Sequence, residues 1–217
     1  MIEFWRRSNL ATRLTIVRIF LVPVFIAFMY HDNFYTRICA LLIFISAGIT
    51  DLYDGAIARR TKTVTTLGTF LDPLADKLMI CAVFISFVEH PDIRTPAWMV
   101  VFIISREFII TGMRSVAASQ DKIIPADKGG KFKTAIQTSA IITIFIILIN
   151  NAMLDRFWDI NVNLWIYALN WKRYLGLVLL NLPYWLMFIV TITTIYSGIS
   201  YVYKNEDILF ERRSAKR

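Results

Sequence analysis

Six apolar runs constrain this chain more than any other feature. They lie at 14–30, 34–50, 67–88, 97–118, 132–151 and 181–203, and have the length or character of bilayer-crossing helices. The third and fourth runs also carry charges. Their apolar residues nevertheless recur around the charged face, as expected of helices that line a polar cavity. The pattern predicts an all-α integral membrane protein with six transmembrane helices. A short interfacial helix is expected in 1–9, where Phe4, Trp5, Arg6 and Arg7 combine aromatic and basic anchors. Of the 217 residues, 57% are hydrophobic and 18% charged, whereas soluble domains are nearer a quarter charged. With no internal repeat, low-complexity tract or Pro/Gly-rich linker, residues 1–217 read as one membrane domain.

The segment 155–182 is expected to be an outer interfacial anchor, because Trp158, Trp165 and Trp171 suggest an aromatic belt. Pro183 is placed to kink or start the last helix. Cys39 and Cys81 sit in apolar runs and read as packing residues rather than a disulfide framework. The first run continues into further spans and shows no convincing signal-peptide cleavage site.

The net charge of +8 could suit nucleic acid, but in a membrane protein it more often marks loops beside anionic lipid. Its placement fixes an orientation. Arg6, Arg7, Arg13, Arg59, Arg60, Lys62, Lys122, Lys128, Lys131, Lys133, Lys204, Arg212, Arg213, Lys216 and Arg217 fall at one side of the expected spans. Only Arg37, Arg94, Arg156, Lys172 and Arg173 fall at the other. The positive-inside rule then puts both termini in the cytoplasm, in keeping with an even number of spans.

Within this apolar background stands D-x2-D-G-x2-A-R-x8-G-x3-D-x3-D, from Asp51 to Asp76. Carboxylates in or beside a membrane segment are costly, so four together imply a purpose. Asp51 and Asp54 are three residues apart and Asp72 and Asp76 four apart, so each pair shares one helix face. Two such helices facing each other would gather oxygen ligands for hard divalent cations and the phosphates they carry. Asp51, Asp54 and Asp72 are the natural shared ligands. Asp76 can reach a second metal or accept a proton from an attacking hydroxyl. The bland alternative is simple ion pairing with Arg59, Lys77 or Arg106. Gly55 and Gly68 allow close backbone approach, and Arg59 offers a fork suited to phosphate.

All eight fixed positions of this string match the signature of the CDP-alcohol phosphotransferases, which move a phosphatidyl group from a CDP-linked lipid to an alcohol. The resemblance implies a divalent-metal-dependent enzyme with two Mg²⁺ or Mn²⁺ ions held by Asp51, Asp54, Asp72 and Asp76. It implies Asp76 as catalytic base, and Gly55, Ala58, Arg59 and Gly68 as the floor of the CDP-lipid pocket. Family members are typically homodimers. Thr15 and Arg18 are similar to a T-x-x-R near the start of bacterial members, and Arg18 is equally suited to pairing with a motif Asp or to snorkelling.

Two further strings, S-R-E-x6-R at Ser105, Arg106, Glu107 and Arg114, and G-K-x-K-T-x2-Q at Gly130, Lys131, Lys133, Thr134 and Gln137, resemble the glycerol-phosphate-using subgroup. These are the bacterial phosphatidylglycerolphosphate synthases; the serine- and inositol-phosphate-using relatives fit less well. An acceptor that carries its own phosphate needs a second anion site. Arg114, Lys131 and Lys133, with Arg106 behind them, are the candidates, and Glu107 is placed to orient one of them. Their alternatives are topology-setting charges and, for Arg114, snorkelling.

The reaction implied is CDP-diacylglycerol plus sn-glycerol 3-phosphate giving phosphatidylglycerol phosphate and CMP, at the cytoplasmic face of the inner membrane. Its partners are lipid and small substrates, with no nucleic acid. Another acceptor (inositol phosphate, serine or phosphatidylglycerol) is the nearest alternative. An intramembrane prenyltransferase would carry its Asp motifs farther apart. A cation transporter would need acidic residues on both sides of the midplane.

Overall fold

The structure, a computed structural model, describes residues 10–31, 33–61, 66–119, 128–167 and 170–205; within these, the side chains of 10–12, 51–61, 66–73, 76, 119 and 128 stand outside the description. The expected interfacial helix in 1–9 therefore lies outside the described residues. Six long helices run through the rest: α1 Leu10–Tyr30, α2 Phe34–Thr61, α3 Thr66–Glu89, α4 Ala97–Ser119, α5 Lys128–Trp158 and α6 Lys172–Lys204. A 3₁₀ turn, Val162–Tyr167, stands between α5 and α6. No strand occurs among the described residues.

Local chemistry explains where these helices begin and end. Asn33 starts α2 as a reciprocal cap: the Thr36 N–H donates to Asn33 Oδ1 at 3.0 Å, and the Asn33 N–H donates to Thr36 Oγ1 at 3.2 Å. At the far end of α5, Asp159 takes the left-handed conformation at φ 53°. The Ile160 N–H then donates to the Leu154 carbonyl at 3.1 Å, six residues back. This is the Schellman closure, with Asp in place of the usual Gly. Inside the helices, hydroxyls turn back on the chain; buried Thr191, for example, donates to the Met187 carbonyl at 2.8 Å. An apolar surrounding offers such groups no water.

The last helix differs from the expectation. It begins at Lys172, not near 181, and contains Pro183 in its interior. Pro183 removes one N–H but does not end the helix, as membrane helices often tolerate. The first turns have support of their own, because Gly176 lies against the 3₁₀ turn. A Cβ there would stand 2.8 Å from Trp165 Cβ, so only glycine allows that approach. Of the three tryptophans in the expected belt, Trp158 and Trp171 are exposed and Trp165 packs against α6.

The core centres on Phe145 of α5. Its ring meets Phe25 of α1 at 6.2 Å, Phe44 of α2 at 6.5 Å and Phe87 of α3 at 5.6 Å. Each aromatic pair contributes about 0.5–1.5 kcal/mol beyond area burial, so one side chain ties three helices to a fourth. Met99 and Ile103 of α4 and Met187 and Val190 of α6 extend the same core. The outside is also apolar: Phe20, Leu42, Ile85, Val101, Phe102, Ile109, Ile146, Ile192 and Ile199 are all exposed. Water would not tolerate so continuous a shell, whereas lipid does. Among the described residues, three helices, over Arg13–Tyr30, Gly129–Trp158 and Lys172–Lys204, are long and apolar enough to cross a membrane. The apolar part of α2, Phe34–Thr50, is shorter. This is a multi-helix membrane protein. Cys39 and Cys81 are both free thiols in its packing.

Candidate active site

The signature spans two helices. Asp51, Asp54, Gly55, Ala58 and Arg59 fall toward the C-terminal end of α2, and Gly68, Asp72 and Asp76 in the first half of α3. The side chains of these eight lie outside the described residues. What is described is the cavity beside them, about 370 Å³. It is lined by Arg18 of α1, Gly48 and Ile49 of α2, Met79 and Ile80 of α3, and Thr134 and Thr138 of α5. Gly48 precedes Asp51 by three residues and Met79 follows Asp76 by three, one helical turn in each case.

Arg18 is 2% exposed and Thr15, one turn before it, is fully buried. Burial removes the snorkelling reading of Arg18, since a snorkelling side chain would carry its guanidinium to the surface. The arginine instead points its charge into the bundle. A guanidinium in such a place offers fixed donors to an anionic group.

The other cations gather on α4, α5 and α6. Lys133 of α5 is 5% exposed, and its Nζ donates to Glu107 Oε1. The same carboxylate oxygen accepts from Arg106 Nη1 at 3.2 Å. Arg106 Nη2 donates to Ser197 Oγ on α6 at 2.8 Å. One carboxylate thus stands between two cations, and a hydroxyl from a third helix completes the fork. Charge-assisted bonds of this kind are about twice as strong as neutral ones. The expectation that Glu107 orients a cation is met twice over, by Arg106 and by Lys133.

Arg114 lies two turns farther along α4 and is exposed. Its Nε donates to the Tyr201 hydroxyl at 3.2 Å, and its Cζ stands 5.6 Å from the Tyr201 ring centre. Tyr201 itself is 3% exposed and packs with Ile110 and Met113. Lys131 is exposed. Arg106 and Lys133 are therefore brought together through Glu107, while Arg114 and Lys131 stand apart from that pair at the surface. Gln137, from the same motif as Lys133, is 2% exposed.

The sequence did not reveal α6 as part of this arrangement. Ser197, Gly198 and Tyr201 are ordinary residues for a membrane helix, and nothing in their spacing marks them. Only the packing of α6 on α4 brings them to the arginines.

These features can be set beside known proteins. A family model described as CDP-alcohol phosphatidyltransferase matches residues 8–196. The CDP-diacylglycerol–glycerol-3-phosphate 3-phosphatidyltransferase of Bacillus subtilis is 39% identical over 145 residues, 61% of this chain and 74% of that protein. The protein of the same name from Rickettsia typhi is 36% identical over 135 residues, 62% of this chain and 74% of its own length. A Mycobacterium tuberculosis protein named "Probable phosphatidylglycerophosphate synthase" is 39% identical over 139 residues, 63% of this chain and 65% of its own. The family model covers the motif helices, the cavity, Arg106, Glu107 and Lys133, and all but the C-terminal end of α6, where Ser197 and Tyr201 lie. This chain belongs to the CDP-alcohol phosphatidyltransferase family.

Proposed function

We propose that this protein transfers the phosphatidyl group of CDP-diacylglycerol to sn-glycerol 3-phosphate, giving phosphatidylglycerol phosphate and CMP. One juxtaposition carries the reading. Thr134 lines the cavity beside the signature, and its neighbour Lys133 belongs to the cation cluster with Glu107 and Arg106. A diphosphate-handling motif and a set of cations thus share one end of the bundle. That pairing suits a reaction in which both substrates carry phosphate. The relatives' names agree with it.

In this reading Asp51, Asp54, Asp72 and Asp76 hold two divalent ions, Mg²⁺ or Mn²⁺. The donor set fits such ions, since carboxylate oxygens are their preferred ligands. When bound, the ions neutralise the diphosphate and ease the departure of CMP. Gly55, Ala58, Arg59 and Gly68 receive the CDP group, and Arg18 adds a buried positive charge beside them. Asp76 takes the proton of a glycerol hydroxyl. That oxygen attacks the phosphorus bearing the diacylglycerol, and the bond to CMP breaks. Arg114 and Lys131 meet the phosphate of the acceptor, with Lys133 and Arg106 behind them.

The wider reading is one domain with all six helices crossing the inner membrane. Both termini and the site face the cytoplasm, and two copies form a dimer. The exposed apolar residues of α3 and α4, among them Ile85, Val101, Phe102 and Ile109, support spanning by these two more polar helices.

The test is CMP release from CDP-diacylglycerol by the purified protein with separate acceptors, with and without a chelator. Release with sn-glycerol 3-phosphate that stops on chelation is the expected result. Efficient use of serine or inositol phosphate instead would replace the acceptor, and release indifferent to chelation would remove the metals.

A further inference from the structure

Two cations of α4 lean on one face of α6. Ser197 and Tyr201 are four residues apart, so they share that face. Ser197 accepts from Arg106, and Tyr201 accepts from Arg114. Between them, Gly198 lets the helices come close: a Cβ there would stand 2.8 Å from Arg106 Cγ. No larger residue fits without displacing the arginine, so the register of α6 against α4 is fixed at this turn.

The two contacts differ in what they leave over. Arg106 spends its terminal nitrogens on Glu107 and Ser197. Arg114 is held through Nε and by its guanidinium lying over the face of the Tyr201 ring. A guanidinium can grip a phosphate end-on with its two terminal nitrogens, or side-on with Nε and one of them. The Tyr201 hydroxyl takes the Nε donor and so selects the end-on fork. Tyr201 is itself buried against Ile110, Met113 and Val202, which fixes its hydroxyl in place. A donor held by a rigid neighbour loses less freedom when it binds.

We propose that Tyr201 is a positioning residue for the phosphorylated acceptor, holding Arg114 through Nε so that its terminal nitrogens meet the acceptor phosphate end-on. This rests on the assignment of Arg114 to the acceptor phosphate made above. Tyr201 touches no substrate and acts only through Arg114.

The test uses the full-length protein in mixed micelles of detergent and CDP-diacylglycerol. Tyr201→Phe removes the hydroxyl and keeps the ring, so the packing of α4 on α6 survives. The expected result is a rise of about 5- to 10-fold in KM for sn-glycerol 3-phosphate, less than for loss of the guanidinium itself. The kcat and the KM for CDP-diacylglycerol should stay within about twofold, as expected when only acceptor binding is touched. Inorganic phosphate, used as a competitor of the acceptor, should weaken by the same factor. In an Arg114→Ala background, Tyr201→Phe should add nothing, because the two residues act as one unit.

Separate outcomes separate the ideas. If Arg114→Ala raises the acceptor KM selectively and Tyr201→Phe does not, the positioning role is overturned and the acceptor site stands. If Tyr201→Phe weakens both substrates alike, or is fully additive with Arg114→Ala, Tyr201 is scaffold and the proposal fails. If Arg114→Ala leaves the acceptor KM unchanged, the acceptor assignment falls and takes the proposal with it.

Discussion

The two ends of the bundle both hold arginines, and they hold them differently. At the end where α2 begins, Arg37 is 6% exposed. It pairs with Asp92 at 3.1 Å and donates to the Leu148 carbonyl. Those bonds link α2, the α3–α4 connection and α5. At the opposite end Arg114 is exposed and leans on a neutral tyrosine hydroxyl. An arginine matched by a carboxylate and a carbonyl is a lock. One steadied by a neutral group keeps its full charge for a ligand. The first should matter to stability and the second to substrate.

That contrast can be broken in four places. The largest effect is expected at the motif, where Asp76→Asn should reduce turnover by about 10²–10⁴-fold, the usual loss of a general base. CDP-lipid binding should remain, as followed by calorimetry. Retention of more than about a tenth of the rate would remove Asp76 from the role of base.

At the lock, Arg37→Ala leaves Asp92 without its partner. Breaking a fully buried pair costs about 3–5 kcal/mol; with the Asp92 side chain 20% exposed, the loss should fall at the lower end of that range, read as a fall in thermal unfolding temperature in detergent. Both KM values of the protein that remains folded should match the wild type. A selective change in acceptor KM would mean that the Arg37 end also communicates with substrate, and the contrast would collapse.

Arg114→Ala is the counterpart at the other end. A charge-assisted bond to phosphate is worth about 1.5–3 kcal/mol, so the acceptor KM should rise roughly 10- to 150-fold with little change in unfolding temperature. Equal weakening for both substrates would place Arg114 on the diphosphate or in the scaffold.

The smallest effect belongs to the start of α2, where Asn33→Ala removes the reciprocal cap. About 1 kcal/mol of stability should go with it, with steady-state kinetics unaltered. A kinetic change from this substitution would show that the Asn33 end of the bundle tunes the site through α2.

Much of this fold was legible as helix, because apolar runs of spanning length leave few alternatives. The ends of α3 and α4 fall within about a residue of the expected spans despite their charges. The start of α6 was not legible. Pro183 reads as a boundary in sequence, but the support of Gly176 by Trp165 lies in tertiary contact. Candidate cations were legible as residue types at motif spacing. Their division into a buried pair, Arg106 and Lys133 on Glu107, and an exposed Arg114 was not, since burial is a property of the packed bundle.

The sequence by itself determined the helical membrane class and the eight signature positions from Asp51 to Asp76, because hydrophobic length and helical spacing are properties of a single segment. It also determined which residues carry charge. Tertiary structure decided what each charge meets. It set Arg18 inside the bundle, locked Arg37 to Asp92, and brought Ser197 and Tyr201 across to Arg106 and Arg114. The physical reason is that the partner of a charge is chosen by helices meeting in space, and residues 91 and 87 positions apart in the chain leave no local trace of that meeting.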